Sequence, residues 1–138
     1  METTPFEELT RKTLRYIDVC AHAALKSDFN SSKCLGACIN LNGTILSAAN
    51  VKKQNGKINS LHAEINVLLQ YTRRCKQQRR ASITVYVVRL LNDTSGPRFG
   101  YCKPCEFCQP LLISANVKTI FYTDSVNNKN VLCKLKLR

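Results

Sequence analysis

Two short clusters of metal-binding residue types constrain this chain more than any other feature. The first is Leu61-His62-Ala63-Glu64, and the second is Pro104-Cys105-Glu106-Phe107-Cys108, with 43 residues from His62 to Cys105. Zinc binds imidazole nitrogen and thiolate sulfur in a tetrahedral site. His62, Cys105 and Cys108 supply three ligands and leave the fourth position open for water, as in catalytic zinc sites. Glu64 is the predicted proton carrier for that water.

The spacing of the cysteines predicts a helix. Cys105 and Cys108 are three residues apart, so one helical turn brings both to the same face. Pro104 suits the first position of such a helix, which we expect to span about 105–115. Its N-terminus should also favour thiolate over thiol.

The spacing of His62 and Glu64 predicts how a second helix lies. Two residues that are two apart point in nearly opposite directions on a helix. They can therefore meet one metal only if it lies beyond the N-terminal end of the helix. We predict a helix of about 61–75, with a cap at Asn59 or Ser60, whose N-terminus converges on the metal with that of 105–115.

The composition indicates one intracellular α/β domain. A chain of 138 residues is long enough for one domain with a core and too short for two, so residues 1–138 are read as a single domain. The N-terminus carries no secretory signal pattern, which predicts a cytoplasmic protein, with the nucleus as the alternative. With Cys-x-x-Cys beside His-x-Glu, metal ligation explains the eight cysteines better than a disulfide scaffold does.

Hydrophobic periodicity and turn residues divide the chain into elements. Thr4-Pro5-Phe6-Glu7 reads as a capping box that opens a helix of about 5–26. Asn42-Gly43 predicts a hairpin within 34–50. The near-continuous apolar run 82–91 is typical of a central parallel strand, and 92–101 reads as a loop. Further strands are predicted at 117–122 and 131–137.

The connection between the last two strands fixes their relative direction. Only residues 123–130 separate them, and a parallel crossover needs a dozen or more residues. The pair should therefore be antiparallel, joined by the turn 127–130. The alternation in 131–137 fits a half-exposed edge strand protected by lysines.

Basic residues are the other prominent feature. The net charge is +12, which raises the prior for a polyanionic or phosphorylated partner. The densest cluster is Arg73, Arg74, Lys76, Arg79 and Arg80. It fits either a contact with the phosphate backbone of RNA or single-stranded DNA, or a solvated helix end favoured by the helix dipole.

The loop before the cysteine cluster supplies candidate substrate contacts. Arg98, Phe99 and Tyr101 directly precede it, so they can line the mouth of the site. One cation and two aromatic rings can bind a phosphate and stack a base. The alternative is a loop that only packs on the domain.

The order of elements and the paired motif resemble the zinc-dependent cytidine and deoxycytidylate deaminase superfamily, whose signature is His-x-Glu followed by Pro-Cys-x-x-Cys. The resemblance covers nearly the whole chain. It implies a three-layer α/β/α sandwich on a five-stranded mixed sheet. It also implies Zn²⁺ as cofactor and a homo-oligomer.

The resemblance also implies roles for individual residues. His62, Cys105 and Cys108 correspond to zinc ligands, and Glu64 corresponds to the general acid and base. Asn50 lies where family members direct an Asn amide at the sugar or base, although an Asn that closes a strand is also an ordinary turn residue. The short final connection resembles the branch that acts on free nucleosides.

Three functions remain open from the sequence. The first is hydrolytic deamination of a cytosine-type base in a nucleoside or nucleotide. The second is deamination of cytosine or adenine within RNA or single-stranded DNA. In the third, Cys102 closes the site as a fourth ligand, and the chain is a zinc-stabilised nucleic-acid-binding module without catalysis.

Overall fold

The computed structural model describes residues 2–27, 34–41, 43–52, 60–74, 82–91 and 98–137. The strands are β1 (Glu2–Pro5), β2 (Cys34–Leu41), β3 (Thr44–Ala49), β4 (Val51–Lys52), β5 (Ser60–Leu61), β6 (Ile83–Leu91), β7 (Arg98–Gly100), β8 (Val117–Val126) and β9 (Lys129–Lys136). The helices are α1 (Arg11–Ala24), α2 (Ala63–Arg74) and α3 (Cys108–Ser114), with a 3-10 turn at Phe6–Glu8.

A mixed sheet forms the middle of the fold. Its strands lie in the order β1, β9, β8, β6, β2, β3, and β7 pairs with β6 in addition. β6 and β8 run parallel, whereas the other strand pairs in the described residues are antiparallel. The sheet has seven strands rather than the predicted five, because β1 and β7 add to it. β4 and β5 pair separately.

Helix α1 covers one face of the sheet. Its Tyr16, Ile17 and Cys20 are buried against Cys38 of β2 and Val88 of β6. Gly36 allows this close approach, since a Cβ there would lie 2.0 Å from the carbonyl oxygen of Cys20. The backbone of the helix therefore packs directly on the backbone of the sheet.

Helices α2 and α3 cover the opposite face. Val67 of α2 and Leu112 of α3 are fully buried, together with Val85, Val87 and Ile120 of the sheet. Because side chains alternate along a strand, β6 supplies both faces of the core. The expected three-layer α/β/α sandwich is therefore present. No helix among the described residues is long and apolar enough to cross a bilayer.

The N-terminal segment differs from the predicted capping box. Glu2–Pro5 is a strand that pairs antiparallel with β9, with Thr4 opposite Leu132. Helix α1 starts at Arg11, where the hydroxyl oxygen of Thr10 accepts a hydrogen bond from the backbone N–H of Thr13 at 3.2 Å. Cap and helix thus lie six residues further along the chain, because the first residues pair with β9 as a strand.

The C-terminal hairpin is antiparallel, as predicted. Its turn is tighter than expected: Asn127 and Asn128 alone turn the chain, with φ of 52° and 63°, and the strands continue to Val126 and Lys129. Asn tolerates this left-handed backbone better than most residues. β9 is not an edge strand, however, because β1 lies on its outer side.

Other predictions fall partly outside the described residues. Asn59, Cys75 and all of 92–97 lie outside the described residues, so the loop prediction for 92–101 is tested only at its end. There it was wrong for Arg98–Gly100, which pairs with β6 so that Gly100 faces Arg89.

Candidate active site

Three potential metal ligands from distant parts of the chain meet at one point. Ligand atoms of His62, Cys105 and Cys108 all lie within 4.8 Å of one another. Nδ1 of His62 is 3.0 Å from Sγ of Cys108, and the two sulfurs are 3.3 Å apart. His62 is exposed and Cys108 is buried, so a cation held here would be reachable from solvent on one side only.

Hydrogen bonds position helix α2 at this point. The side-chain Nδ2 of Asn66 donates to the carbonyl oxygen of Ala49 at the end of β3, at 2.8 Å. The backbone N–H of Asn66 donates to the carbonyl oxygen of His62 at 2.9 Å. Helix α2 begins at Ala63, two residues later than predicted, so His62 precedes the first helical turn instead of lying within it.

The cysteine segment is fixed by its own turn. The backbone N–H groups of Cys108 and Gln109 both donate to the carbonyl oxygen of Cys105, and Nε2 of Gln109 donates to the carbonyl oxygen of Pro104 at 3.0 Å. Helix α3 begins at Cys108, three residues later than predicted. Pro104 is therefore not its first residue, although the turn still brings the two sulfurs together.

The surroundings of Cys108 favour the neutral thiol, whereas a helix N-terminus was expected to favour the thiolate. Burial is the main cause that raises its pKa to about 12, and the neighbouring Cys105 thiol contributes to the same shift. A divalent cation would displace this proton, because the metal ligand is the thiolate. One imidazole and two cysteine sulfurs form a donor set that suits zinc.

Glu64 lies beside the ligand cluster in an unusual environment. Its side chain is 3% exposed, and Oε1 is buried without a hydrogen-bond partner among the residues that the structure describes. Burial raises the pKa of this carboxyl above its ordinary 4.5, whereas its own backbone N–H and His62 oppose the shift. A buried polar atom of this kind needs a partner, and a water held at the metal would supply one.

A cavity of about 380 Å³ opens onto the cluster. Its lining residues are Leu35, Asn50, His62, Ala63, Glu64, Arg89, Tyr101, Cys102, Lys103 and Cys105. The volume lies in the range of small-molecule pockets. The structure thus places a buried carboxyl, a metal-ligand set and a ligand-sized space together.

Asn50 is buried in the cavity wall, next to the end of β3. Its Oδ1 accepts a hydrogen bond from the backbone N–H of Leu35 at 3.0 Å, and its own N–H donates to the carbonyl oxygen of Leu35. The first bond holds the side-chain amide and the second holds the backbone. Asn50 therefore lies in the cavity wall, and its contact with a ligand stays a prediction.

The three candidate contacts before the cysteines lie in different places. Tyr101 lines the cavity, is about half exposed, and packs edge-on against Tyr122. Phe99 instead packs against the ring of Phe6, with centroids 5.3 Å apart, in the core under α1. Neither Phe99 nor Arg98 is among the cavity-lining residues.

Sequence reasoning missed two cavity-lining cations, Arg89 and Lys103. Arg89 could have been singled out from the sequence, because it is the single charged residue in the apolar strand β6. Lys103 stands between Cys102 and Pro104 and carries no comparable signal. The β6–β7 pairing that turns both toward one cavity is a long-range feature.

Cys102 does not join the ligand cluster. Its thiol donates to the carbonyl oxygen of Val87 at 3.4 Å and lies 3.4 Å from the hydroxyl of Thr123. Burial raises its pKa to about 12. The ligand group therefore consists of His62, Cys105 and Cys108, which argues against the closed four-ligand site that we considered.

The basic cluster is described only in part. Arg73 and Arg74 are exposed in the last turn of α2, whereas Lys76, Arg79 and Arg80 lie outside the described residues. A helix of 12 residues is about 18 Å long. The two described arginines therefore lie at the far end of α2 from His62.

Fold and site together define a class of protein: a zinc-dependent deaminase on an α/β/α sandwich. Residues 10–124 match the family model described as "Cytidine and deoxycytidylate deaminase zinc-binding region". The chain belongs to this cytidine and deoxycytidylate deaminase family, and its cofactor is Zn²⁺. A search of curated proteins found no significant match.

Two solved structures share the fold. The dCMP deaminase of cyanophage S-TIM5, in apo form, aligns with a TM-score of 0.54 and 16% identity, covering 87% of this chain and 89% of the phage chain. A cytidine deaminase from Burkholderia pseudomallei aligns with a TM-score of 0.55 and 19% identity, covering 93% of each chain. At these identities the likeness establishes the architecture.

Proposed function

We propose that the protein hydrolyses the exocyclic amine of a cytosine-type base, in a nucleoside or nucleotide, to give the uracil form and ammonia. The observation that carries this proposal is the buried, unpartnered Oε1 of Glu64 beside the His62, Cys105 and Cys108 cluster. The carboxyl is close enough to raise the pKa of Cys108 electrostatically. A proton carrier and a metal-ligand set thus share one cavity.

Zinc, when bound by His62, Cys105 and Cys108, supplies a Lewis acid that makes water a usable nucleophile near neutral pH. Glu64 does the proton transfers. It removes a proton from the attacking water and delivers it to the ring nitrogen beside the amine-bearing carbon. After the C–O bond forms, Glu64 takes the remaining proton of the new hydroxyl group and delivers it to the amine. The C–N bond then breaks, ammonia leaves, and the C=O of the uracil form remains.

The burial of Glu64 suits these transfers. Burial raises the pKa of the Glu64 carboxyl above its ordinary value, so this carboxyl takes up a proton more readily than an exposed one does. Asn50 and Tyr101 lie in the same cavity, where an amide can hydrogen-bond the sugar or base and a ring can stack on the base. These contacts hold the substrate over the proton carrier.

An ammonia-release screen tests the proposal. The panel contains cytidine, deoxycytidine, their monophosphates, adenosine, guanine, single-stranded DNA and transfer RNA, each with zinc-loaded protein. We expect ammonia from at least one cytosine-bearing compound and none from a Glu64→Gln preparation. Release only from adenosine or guanine, or from nothing in the panel, would overturn the proposal.

The +12 charge favours a second candidate, deamination of a base within RNA or single-stranded DNA. The exposed Arg73 and Arg74 are compatible with it. Binding to a polynucleotide weakens steeply as salt rises, because condensed counterions are released. The two candidates are separated by measuring KM for CMP and for a cytosine-containing oligonucleotide at 50 and at 200 mM salt. Over this range a protein with six to ten phosphate contacts loses roughly 10³-fold or more in affinity for the polynucleotide.

A further inference from the structure

The cavity carries two positive charges that the deamination chemistry does not explain. Glu64 lies at the metal-ligand end, and Arg89 and Lys103 line the same space. Both cations are half-buried. Their placement depends on the β6–β7 pairing, which turns the chain from Arg89 back to Gly100 and into Lys103.

The structure holds Arg89 in position from several sides. Its Nη1 donates to the carbonyl oxygen of Tyr101 at 3.4 Å. Its backbone N–H donates to the hydroxyl of Thr123 at 3.2 Å, and that hydroxyl donates to the carbonyl oxygen of Gly100 at 2.9 Å. Thr123 is fully buried, so this junction of β6, β7 and β8 is rigid.

Gly100 lets the stem of Arg89 cross the β7 backbone. A Cβ at this position would lie 3.2 Å from Cδ of Arg89 and 3.2 Å from Cδ1 of Leu91. The stem of Arg89 thus packs against β7, and the residue lines the cavity. Glu64 and Arg89 both lie close enough to the buried thiol of Cys102 to affect its pKa: Glu64 raises it and Arg89 lowers it.

We propose that Arg89, assisted by Lys103, binds the phosphate of a nucleoside monophosphate, so that the preferred substrate is the nucleotide and not the free nucleoside. The proposal rests on the proposed function and names its substrate class. A guanidinium fork matches phosphate oxygens with parallel charge-assisted hydrogen bonds. A nucleoside offers no anionic group for these two cations to bind, whereas its monophosphate does.

A free nucleotide fits the described residues better than a polynucleotide does. The two cations sit in one cavity of about 380 Å³, which suits a single small ligand. Arg73 and Arg74, the described part of the basic cluster, lie about a helix length away. The phosphate partner of Arg89 is therefore assigned to the substrate itself.

The first test compares kcat/KM for CMP and cytidine, and for dCMP and deoxycytidine, in one preparation. Charge-assisted hydrogen bonds predict a preference of roughly 10- to 100-fold for the monophosphates. Arg89→Gln should reduce this ratio at least tenfold, and Arg89→Lys should restore part of it. Because both substrates meet the same sample, partial unfolding cancels from the ratio.

Lys118→Gln is the matched control. It removes one exposed positive charge from the start of β8. Because β8 runs parallel to β6, this position lies at the opposite end of the strand pair from Arg89, so the substitution should leave the ratio of kcat/KM for nucleotide and nucleoside unchanged. An equal kcat/KM for nucleoside and nucleotide, or an equal fall in both variants, would overturn the assignment to Arg89.

A binding measurement separates this inference from the proposed function. In Glu64→Gln protein, calorimetry should show CMP binding at least tenfold more tightly than cytidine, and Arg89→Gln added to it should abolish the difference. Both binding results are expected even if no compound of the ammonia-release panel is deaminated. Stronger, salt-sensitive competition by a cytosine oligonucleotide than by CMP would overturn the choice of a free nucleotide.

Discussion

Nδ1 of His62 lies 3.0 Å from Sγ of Cys108, although 46 residues separate them in the chain. Helix α2 and the turn before α3 bring the two side chains together. Both segments are anchored by backbone hydrogen bonds that do not involve a metal. The fold thus brings the ligand residues together with hydrogen bonds of its own backbone.

The metal stoichiometry should depend on three side chains and not on Cys102. We expect Cys105→Ser and Cys108→Ser to lose zinc, whereas Cys102→Ser keeps it, because its hydroxyl can still donate to Val87 or Thr123. Elemental analysis of purified variants measures the ratio. X-ray absorption should show two sulfur neighbours of the zinc. Three sulfur neighbours, or loss of zinc from the Cys102→Ser variant, would contradict the assignment.

Removal of zinc should destabilise the fold. A ligand that binds only the folded state stabilises it by about 2.7 kcal/mol at a 100-fold excess over its Kd. Chelation should therefore lower Tm by several degrees, and added Zn²⁺ should restore it. Mg²⁺ should not, since thiolate and imidazole ligands do not suit it. An unchanged Tm after verified zinc removal would argue against metal bound at these side chains.

Glu64→Gln should abolish turnover and keep the metal. Loss of a general acid and base costs roughly 10²- to 10⁴-fold, and the amide cannot carry the proton. Elemental analysis, circular dichroism and ammonia release on the same sample separate chemistry from folding. Glu7→Gln, an exposed carboxyl, is the matched control. Activity retained by zinc-replete Glu64→Gln would exclude Glu64 as the proton carrier.

Gly36→Ala should destabilise the protein strongly. The new Cβ would lie 2.0 Å from the carbonyl oxygen of Cys20 and 2.7 Å from the backbone nitrogen of Ala24, so α1 must move away from the sheet. We expect a loss of about 3 kcal/mol or more in urea unfolding. Thr44→Ala, at the exposed first residue of β3, should cost about 0.5 kcal/mol. Similar losses in both would show that the contact tolerates a methyl group.

Stability should fall at alkaline pH. Burial raises the pKa of the Cys20 thiol well above its ordinary 9.0, so the folded state holds this proton more tightly than the unfolded state. The contribution is complete below about pH 9 and is lost as pH rises toward the folded pKa. One thiol adds a slope of at most about 1.4 kcal/mol per pH unit.

Two variants isolate this contribution. Unfolding free energies between pH 8 and 11 should show a shallower decline for Cys20→Ala than for Cys34→Ala, whose thiol is only half-buried. Comparing slopes removes the packing cost of each substitution. Equal slopes would mean that Cys20 does not titrate as its burial implies.

Local patterns in the sequence were sufficient to find the ligand set and most elements. The spacing of Cys105 and Cys108 requires only one turn of chain, and the Asn-Gly pair and the short final connection each determine a hairpin. The apolar run of β6 indicated the parallel strand because both of its faces are buried. The number of strands was not readable in this way.

The features that were missed depend on contacts between distant residues. Glu2–Pro5 looks like a helix cap by itself, and only its register against β9 makes it a strand. Arg98–Gly100 becomes a strand through β6, which directs Phe99 into the core and Arg89 to the cavity. The single-domain organisation, the homo-oligomer and the cellular location stay predictions.

The position of β1 also affects how the protein associates with other molecules. Glu2–Pro5 occupies the outer hydrogen-bonding side of β9, which would otherwise be an unpaired strand edge. A fusion partner that draws these four residues away would leave β9 as a template for strands of other molecules. The resulting defect would be aggregation of a protein whose catalytic apparatus is still intact.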